Sequence, residues 1–271
     1  MADHVDPEYE SRVEPPVDAG APSDVESGAE SRGEYQVIAR RYRPRRFDEV
    51  VGQEASAETL RNAILQDRLA HAYLLCGPRG VGKTSMARIF ARALICPVSD
   101  DRSRPQEEWG IPCGQCDTCV GVHTGDDIDV TEMDGASNRG IEDVREIIES
   151  VKYRPNRSRY KIYIVDEVHM LTREAFNAFL KVLEEPPAHV KFIFATTEPH
   201  KIPDTVISRC QRFDFQAIRD DDIVRRLLQI CEGESVRPQD GLLEEIARIS
   251  RGGLRDSQTL HAQLISFSER A

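Results

Sequence analysis

The sequence lacks the features of a membrane or secreted protein. No apolar run reaches the about 18 residues that a membrane-spanning helix needs, and the N-terminus is acidic without the apolar core of a secretion signal. Paired cysteines are also missing, because the chain has seven, an odd number. A disulfide framework is therefore not expected. We expect reduced thiols, no membrane contact and a cytoplasmic location.

An excess of positive charge is absent as well, since the formal net charge is −11. Residues 1–34 contain ten acidic and two basic side chains, so they carry −8 and leave −3 for the rest. The remainder is nearly neutral, and charge balance neither supports nor excludes nucleic-acid contact. The first 34 residues are rich in Asp, Glu, Pro, Ser and Gly. They are predicted to form a disordered acidic tail, because they bury too little apolar surface to offset the entropy of ordering.

The most informative stretch is glycine-rich, GPRGVGKT at residues 77–84, and fits the phosphate-loop pattern GxxxxGK[ST] at every fixed position. An apolar segment predicted as a strand, Ala72–Cys76, precedes it, and helical apolar spacing follows. Glycines there let backbone N–H groups surround a polyphosphate. Lys83 is predicted to reach the β- and γ-phosphates and Thr84 to hold Mg²⁺. The predicted nucleotide-binding residues are Gly77, Pro78, Arg79, Gly80, Val81, Gly82, Lys83 and Thr84.

A second apolar segment ends in two acids, Asp166 and Glu167. This pair is common at loop starts, but after a phosphate loop it predicts the second element of a P-loop ATPase. Asp166 would hold the Mg²⁺ shell and Glu167 would polarise the attacking water. The predicted strand at residues 190–197 ends in hydroxyls, and a polar residue at its tip could sense the γ-phosphate or cap the next turn.

Cysteines form a C-x₂-C-x₂-C run at Cys113, Cys116 and Cys119. Thiolates at this spacing converge on one ion, and structural zinc needs a fourth ligand. Cys96 is the favoured fourth ligand and His123 the alternative. An iron–sulfur cluster is a weaker interpretation, because the fuller pattern C-x₂-C-x₂-C-x₃-C-P is absent.

The order of predicted elements indicates two folded regions after the tail. Residues 35–216 alternate strands and helices, with the cysteine insert at about 96–120, and residues 217–271 carry three helical stretches. The basic segment 35–47 could be a strand that contacts the nucleotide or a solvated linker. Arg209, taken singly, is most simply a surface residue, whereas Arg255 could be a surface residue at a helix end or a group that reaches back to the nucleotide.

Together these motifs resemble the clamp-loader clade of AAA+ ATPases. The resemblance covers about residues 35–267 and includes the cysteine insert, Ser208-Arg209-Cys210 and the segment GLRD at residues 253–256. It implies an α/β AAA+ P-loop NTPase fold, in which helices flank a parallel sheet that carries a zinc-binding insert. A small all-helical lid follows.

By resemblance, site roles can be assigned to positions that match the family's motifs. Lys83, Asp166, Glu167, Thr197 (or its neighbour Thr196) and Arg209 are the expected catalytic set, with Arg209 acting on a neighbouring subunit's ATP. Arg255 is the expected lid sensor. Zinc is expected on Cys96, Cys113, Cys116 and Cys119, and Mg²⁺ with ATP on Thr84 and Asp166.

The resemblance also implies partners. These are other clamp-loader subunits in a pentameric hetero-oligomer, a sliding clamp, and primer–template DNA bound without sequence preference. One alternative is a non-hydrolysing structural subunit, which the intact ATPase motifs oppose. The other is a different AAA+ DNA-remodelling ATPase, which the cysteine insert opposes. No polymerase active site is expected.

Two departures from the family pattern affect these expectations. Sixteen residues separate Cys96 from Cys113, more than the family usually has. The sequence also ends at Ala271, where the family continues into a helical collar, so the collar is expected to be absent.

Overall fold

The computed structural model describes residues 38–99, 101, 103–105 and 108–268. The predicted acidic tail, residues 1–34, lies outside these residues, as does the start of the basic segment. In the described part of the chain, no helix is long and apolar enough to cross a membrane.

A five-stranded sheet forms the centre of the fold, in the order β2-β3-β4-β1-β5, and every neighbouring pair is parallel. The central strands are almost fully buried, which is typical of a parallel sheet covered on both faces. The strands are β1 (Ala72–Cys76), β2 (Val130–Asp134), β3 (Lys161–Asp166), β4 (Val190–Thr196) and β5 (Gln211–Asp214).

Helices alternate with these strands and then continue alone to the end of the described chain. The predicted α/β alternation and the three C-terminal helices are confirmed. The helices are α1 (Ile38–Arg41), α2 (Glu54–Leu65), α3 (Lys83–Ile95), α4 (Asp117–Thr124), α5 (Ile141–Ser150), α6 (Arg173–Glu184), α7 (Asp204–Ile207), α8 (Asp220–Gly233), α9 (Leu242–Ser250) and α10 (Leu254–Ser268).

Two apolar clusters lie on opposite faces of the sheet, because alternate residues of each strand point to opposite sides. Tyr73 and Leu75 of β1 join the cluster under α2 and α3, whereas Ala72 and Leu74 join the cluster under α5 and α6. A third cluster holds α8, α9 and α10 together and also includes Ile38 of α1. The helix before the α/β region thus packs with the C-terminal helices, and the predicted boundary at residues 216–217 remains a prediction.

Strand β2 begins at Val130, and just before it the Asp129 carboxylate accepts backbone N–H bonds from the loop at residues 156–158. The described part of the basic segment is no strand, but forms α1 and a short 3₁₀ turn, Phe47–Glu49.

Phe192 is the natural test of the core, because its ring is fully buried and contacts Tyr163, Phe179 and Phe194 with centroids 5.4–5.8 Å apart. Phe192→Ala should lower the free energy of unfolding by about 3–5 kcal/mol, measured by urea denaturation. Phe267→Ala is the matched control, since that ring is 74% exposed, and it should change stability by about 0.5 kcal/mol or less. Equal effects of the two substitutions would contradict this packing.

Candidate nucleotide-binding site and cysteine cluster

The phosphate loop joins the carboxyl end of β1 to the first turn of α3, which begins at Lys83. The N-terminus of a helix offers unpaired N–H groups and positive dipole charge to an anion. Gly77 is required because a Cβ there would lie 2.4 Å from the Phe215 carbonyl oxygen. Glycine is favoured at Gly80 because its φ is +79°, and a Cβ there would make a tight contact of 3.3 Å with the Cα of Gly253. The loop is thus confined between the sheet and the C-terminal helices.

Lys83 lies inside this loop, with only 6% of its surface exposed. Its Nζ donates hydrogen bonds to the carbonyl oxygens of Gly77 and Pro78, at 2.8 and 2.7 Å. Burial lowers the pKa of the Lys83 ammonium. The carbonyls are weak partners for a buried cation, so phosphate oxygens within reach would be preferred.

Asp166, at the end of β3, is hydrogen-bonded to Thr84, in the first turn of α3. The Thr84 hydroxyl donates to Asp166 Oδ2 at 2.6 Å, and the Glu167 N–H donates to Asp166 Oδ1 at 2.9 Å. A hydroxyl and a carboxylate are ligands that Mg²⁺ accepts beside phosphates. The two predicted Mg²⁺ residues are therefore together, and their donor set fits the ion.

Glu167 follows β3 in a left-handed backbone conformation, φ 44° and ψ 44°, which is uncommon for a residue with a side chain. Its Oε2 accepts hydrogen bonds from the hydroxyl and the N–H of Thr197, at 3.0 and 3.3 Å. Thr196 points elsewhere, with its Oγ1 3.1 Å from His169 Nδ1. Of the two threonines left open by the sequence, Thr197 is therefore the one that contacts the acidic pair.

A cleft of about 420 Å³ opens above these residues. The phosphate loop from Arg79 to Thr84, the acidic pair and Arg255 line it on the polar side. Its apolar lining includes Val50, Val51, Ile218 and Leu254. Arg255 also donates its backbone N–H to the Gly80 carbonyl at 3.3 Å. The cleft thus combines a polar phosphate end with an apolar surface that suits a base.

Among the charged residues of this cleft, sequence reasoning missed Asp134 and gave Arg43 no role of its own, although the basic segment that contains Arg43 was a candidate for nucleotide contact. Asp134 ends β2 in register with Asp166 on β3, so an acid at a second strand end was a usable signal. Arg43 comes from the segment after α1, and its position depends on long-range packing that no local pattern encodes.

Arg209 does not line the cleft. Its guanidinium donates to Glu184 Oε1 at 2.7 Å and to the Thr205 carbonyl at 2.6 Å, and its side chain is one-third exposed. Within one chain, Arg209 is therefore separate from the other predicted catalytic residues.

The four predicted zinc ligands come together as a separate cluster, with all sulfur atoms within 4.8 Å of one another. Cys96 and Cys116 are 3.9 Å apart, and Cys113 and Cys119 are 4.0 Å apart, between sulfurs. Tetrahedral zinc with about 2.3 Å bonds needs sulfurs about 3.8 Å apart. The cluster therefore fits zinc, and His123, the alternative ligand, is not part of it.

Arg92 supports the same conclusion from the electrostatic side. This arginine lies on α3 one turn before Cys96, is 3% exposed, and its Nε has no hydrogen-bond partner among the described residues. Hydrogen bonding between the two thiols lowers the pKa of Cys96 and raises the pKa of Cys119. Arg92 interacts with the charge of both sulfurs, so this buried cation would offset part of the negative charge that thiolates bring to a metal ion.

Metal analysis tests this cluster directly. Protein purified without added metal should contain about one zinc per chain, and Cys96→Ser should reduce the content to less than half. Cys210→Ser is the matched control, because Cys210 is outside the cluster, and it should keep its zinc. Unchanged zinc in Cys96→Ser would exclude this residue as a ligand.

Comparison with known proteins identifies the family. The model of the DNA polymerase III delta subunit family matches residues 52–219. The chain is 52% identical over 234 residues to DNA polymerase III subunit tau of Bacillus subtilis, covering 86% of this chain and 40% of that protein. It is 45% identical over 238 residues to subunit tau of Escherichia coli, covering 87% and 35%. The chain thus spans two fifths or less of these two relatives.

Solved structures share the fold at low identity. RuvB of Thermotoga maritima, a Holliday junction branch migration motor, has a TM-score of 0.56 and 20% identity, over 81% of this chain and 64% of that chain. A DNA polymerase III gamma subunit-related protein of the same organism has a TM-score of 0.51 and 23% identity, over 77% and 59%. These likenesses confirm the predicted AAA+ P-loop NTPase fold. The chain belongs to the family that the DNA polymerase III delta subunit model describes, and it is similar to tau and gamma subunits of bacterial DNA polymerase III.

Proposed function

We propose that this chain is an ATPase motor subunit of the DNA polymerase III clamp loader, which uses ATP to load the sliding clamp onto primed DNA. The observation that carries the proposal is the complete set of Lys83, Thr84, Asp166 and Glu167 around one cleft, in a chain related to tau and gamma subunits. A purely structural subunit would not need a lysine, a metal pair and a candidate base at the same end of the sheet.

Each residue has a role that follows from its contacts. Lys83 exchanges the carbonyls of Gly77 and Pro78 for phosphate oxygens. Thr84 and Asp166 hold Mg²⁺, which when bound neutralises charge on the phosphates. Glu167 orients the attacking water and accepts its proton. Oε1 of Glu167 is suited to this role, because it has no hydrogen-bond partner in the described part of the chain, whereas Oε2 is held by Thr197.

In the proposed assembly, a neighbouring subunit supplies the arginine that each ATP site lacks. Arg209 lies outside its own cleft and is partly exposed, as an arginine supplied to a neighbouring subunit's ATP should be. Arg255 senses the nucleotide from α10, and zinc on the four cysteines stabilises the insert without a catalytic role. The proposed partners are the other loader subunits in a five-membered ring, the clamp, and primer–template DNA held through its backbone, in the cytoplasm.

ATP hydrolysis by the chain, alone and in mixtures, tests this proposal. The chain alone should bind ATP and hydrolyse it slowly, because the arginine comes from a neighbour. Turnover should rise strongly only when the clamp, primed DNA and the other loader subunits are all present. Binding without hydrolysis in every mixture would instead indicate a non-hydrolysing structural subunit.

Arg209→Ala should leave ATP affinity nearly unchanged while hydrolysis in the full assembly falls by about 10³-fold or more. Arg212→Ala is the matched control, since Arg212 is a nearby arginine that is paired with Asp214 on β5, and it should keep normal rates. Weaker ATP binding with an unchanged rate per bound ATP would refute the role of Arg209.

A further inference from the structure

His169 has a polar side chain that is buried beside the proposed general base. It lies in the 3₁₀ turn that follows Glu167, and 5% of its side chain is exposed. Its Nδ1 is 3.3 Å from Glu167 Oε2 and 3.1 Å from Thr196 Oγ1. Its Nε2 is 3.3 Å from Glu198 Oε1 on the opposite side of the ring.

These contacts make the imidazole a bridge between the end of β3 and the end of β4. The Thr196 hydroxyl accepts the Glu198 N–H at 3.0 Å, and its oxygen can also accept from a proton carried by His169 Nδ1, which faces Glu167 Oε2 as well. Glu198 in turn forms an ion pair at the surface with Lys201, in which Nζ lies 2.9 Å from Oε2. The ring therefore connects the carboxylate of Glu167 to a segment that is anchored independently.

Glu167 needs such support because, among the described residues, its carboxylate is held through Oε2 alone, by Thr197 and by the approach of His169. Its backbone is also left-handed. Removal of one of two supports would let the carboxylate rotate. A general base that is displaced by about 1 Å can lose about 10²-fold in rate.

We propose that His169 is a positioning residue that holds Glu167 in its catalytic orientation through Nδ1. The inference rests on the proposed ATPase function, and concerns the rate of the chemical step rather than nucleotide binding. His169 does not line the nucleotide cleft, so its effect on ATP is exerted through Glu167.

Substitutions of His169 can distinguish the contact made by Nδ1 from the contact made by Nε2. The amide of asparagine can occupy the position of Nδ1, whereas the longer glutamine reaches the position of Nε2. His169→Asn would therefore keep a polar contact with Glu167, His169→Gln would keep only the contact with Glu198, and His169→Ala would lose both. His200→Ala is the matched control, because His200 approaches Glu198 at 3.7 Å with a side chain that is 72% exposed.

The experiment measures single-turnover ATP hydrolysis in the assembled loader with clamp and primed DNA, together with ATP affinity and the thermal midpoint of each variant. We expect His169→Ala and His169→Gln to hydrolyse ATP about 10–100-fold more slowly, with affinity within about 3-fold. His169→Asn should stay within about 5-fold of the unsubstituted chain, and His200→Ala should match it.

Three results would overturn the inference. These are normal rates in His169→Ala, an equal loss in all three His169 variants with a lowered thermal midpoint, and weakened ATP binding with a normal rate per bound ATP. Failure of the unsubstituted chain to hydrolyse ATP in the assembly would refute the ATPase proposal, and this inference with it. That failure is distinguishable, because it is seen before any substitution is made.

Discussion

The hydrogen bond between Thr84 and Asp166 joins the two halves of the nucleotide-binding cleft. It joins residues that are 82 positions apart, at a distance of 2.6 Å. The contact exists because the strands are parallel, so that the carboxyl ends of β1 and β3 meet at one edge of the sheet, on either side of β4. The parallel arrangement also places the phosphate loop, Glu167 and the two threonines at the end of β4, Thr196 and Thr197, at this edge.

The cysteine cluster depends on the other end of the same helix. α3 begins at Lys83 in the phosphate loop and ends at Ile95, one residue before Cys96. The Cys96 sulfur accepts the Cys113 N–H at 3.4 Å, so the insert closes onto the end of the helix that carries the phosphate-binding lysine. Arg92 on the same helix is buried beside the cluster. Its positive charge would attract four thiolates that share a metal ion, and this attraction would help to hold α3 against the insert.

The sequence was most informative where function requires special residues at fixed spacing. The phosphate loop, the acids after β3 and the cysteine run could all be located, and the structure brings each group together. Strand β5 was missed because only Phe213 of its four residues is buried, so it has no apolar pattern. Thr196 and Thr197 could not be separated, since neighbouring residues of a strand face opposite ways and the contacts that decide come from Glu167 and His169. The basic segment could not be assigned to the nucleotide or to a linker, because the place of Arg43 in the cleft depends on tertiary packing.

A crystal structure with Mg²⁺ and a non-hydrolysable ATP analogue would test the central claim most directly. The account predicts that Lys83 Nζ leaves the carbonyls of Gly77 and Pro78 for phosphate oxygens, with Mg²⁺ held at Thr84 and Asp166. The base should lie against Val50, Val51 and Leu254. A nucleotide bound elsewhere, with Lys83 still on the two carbonyls and no metal at Thr84, would contradict the account.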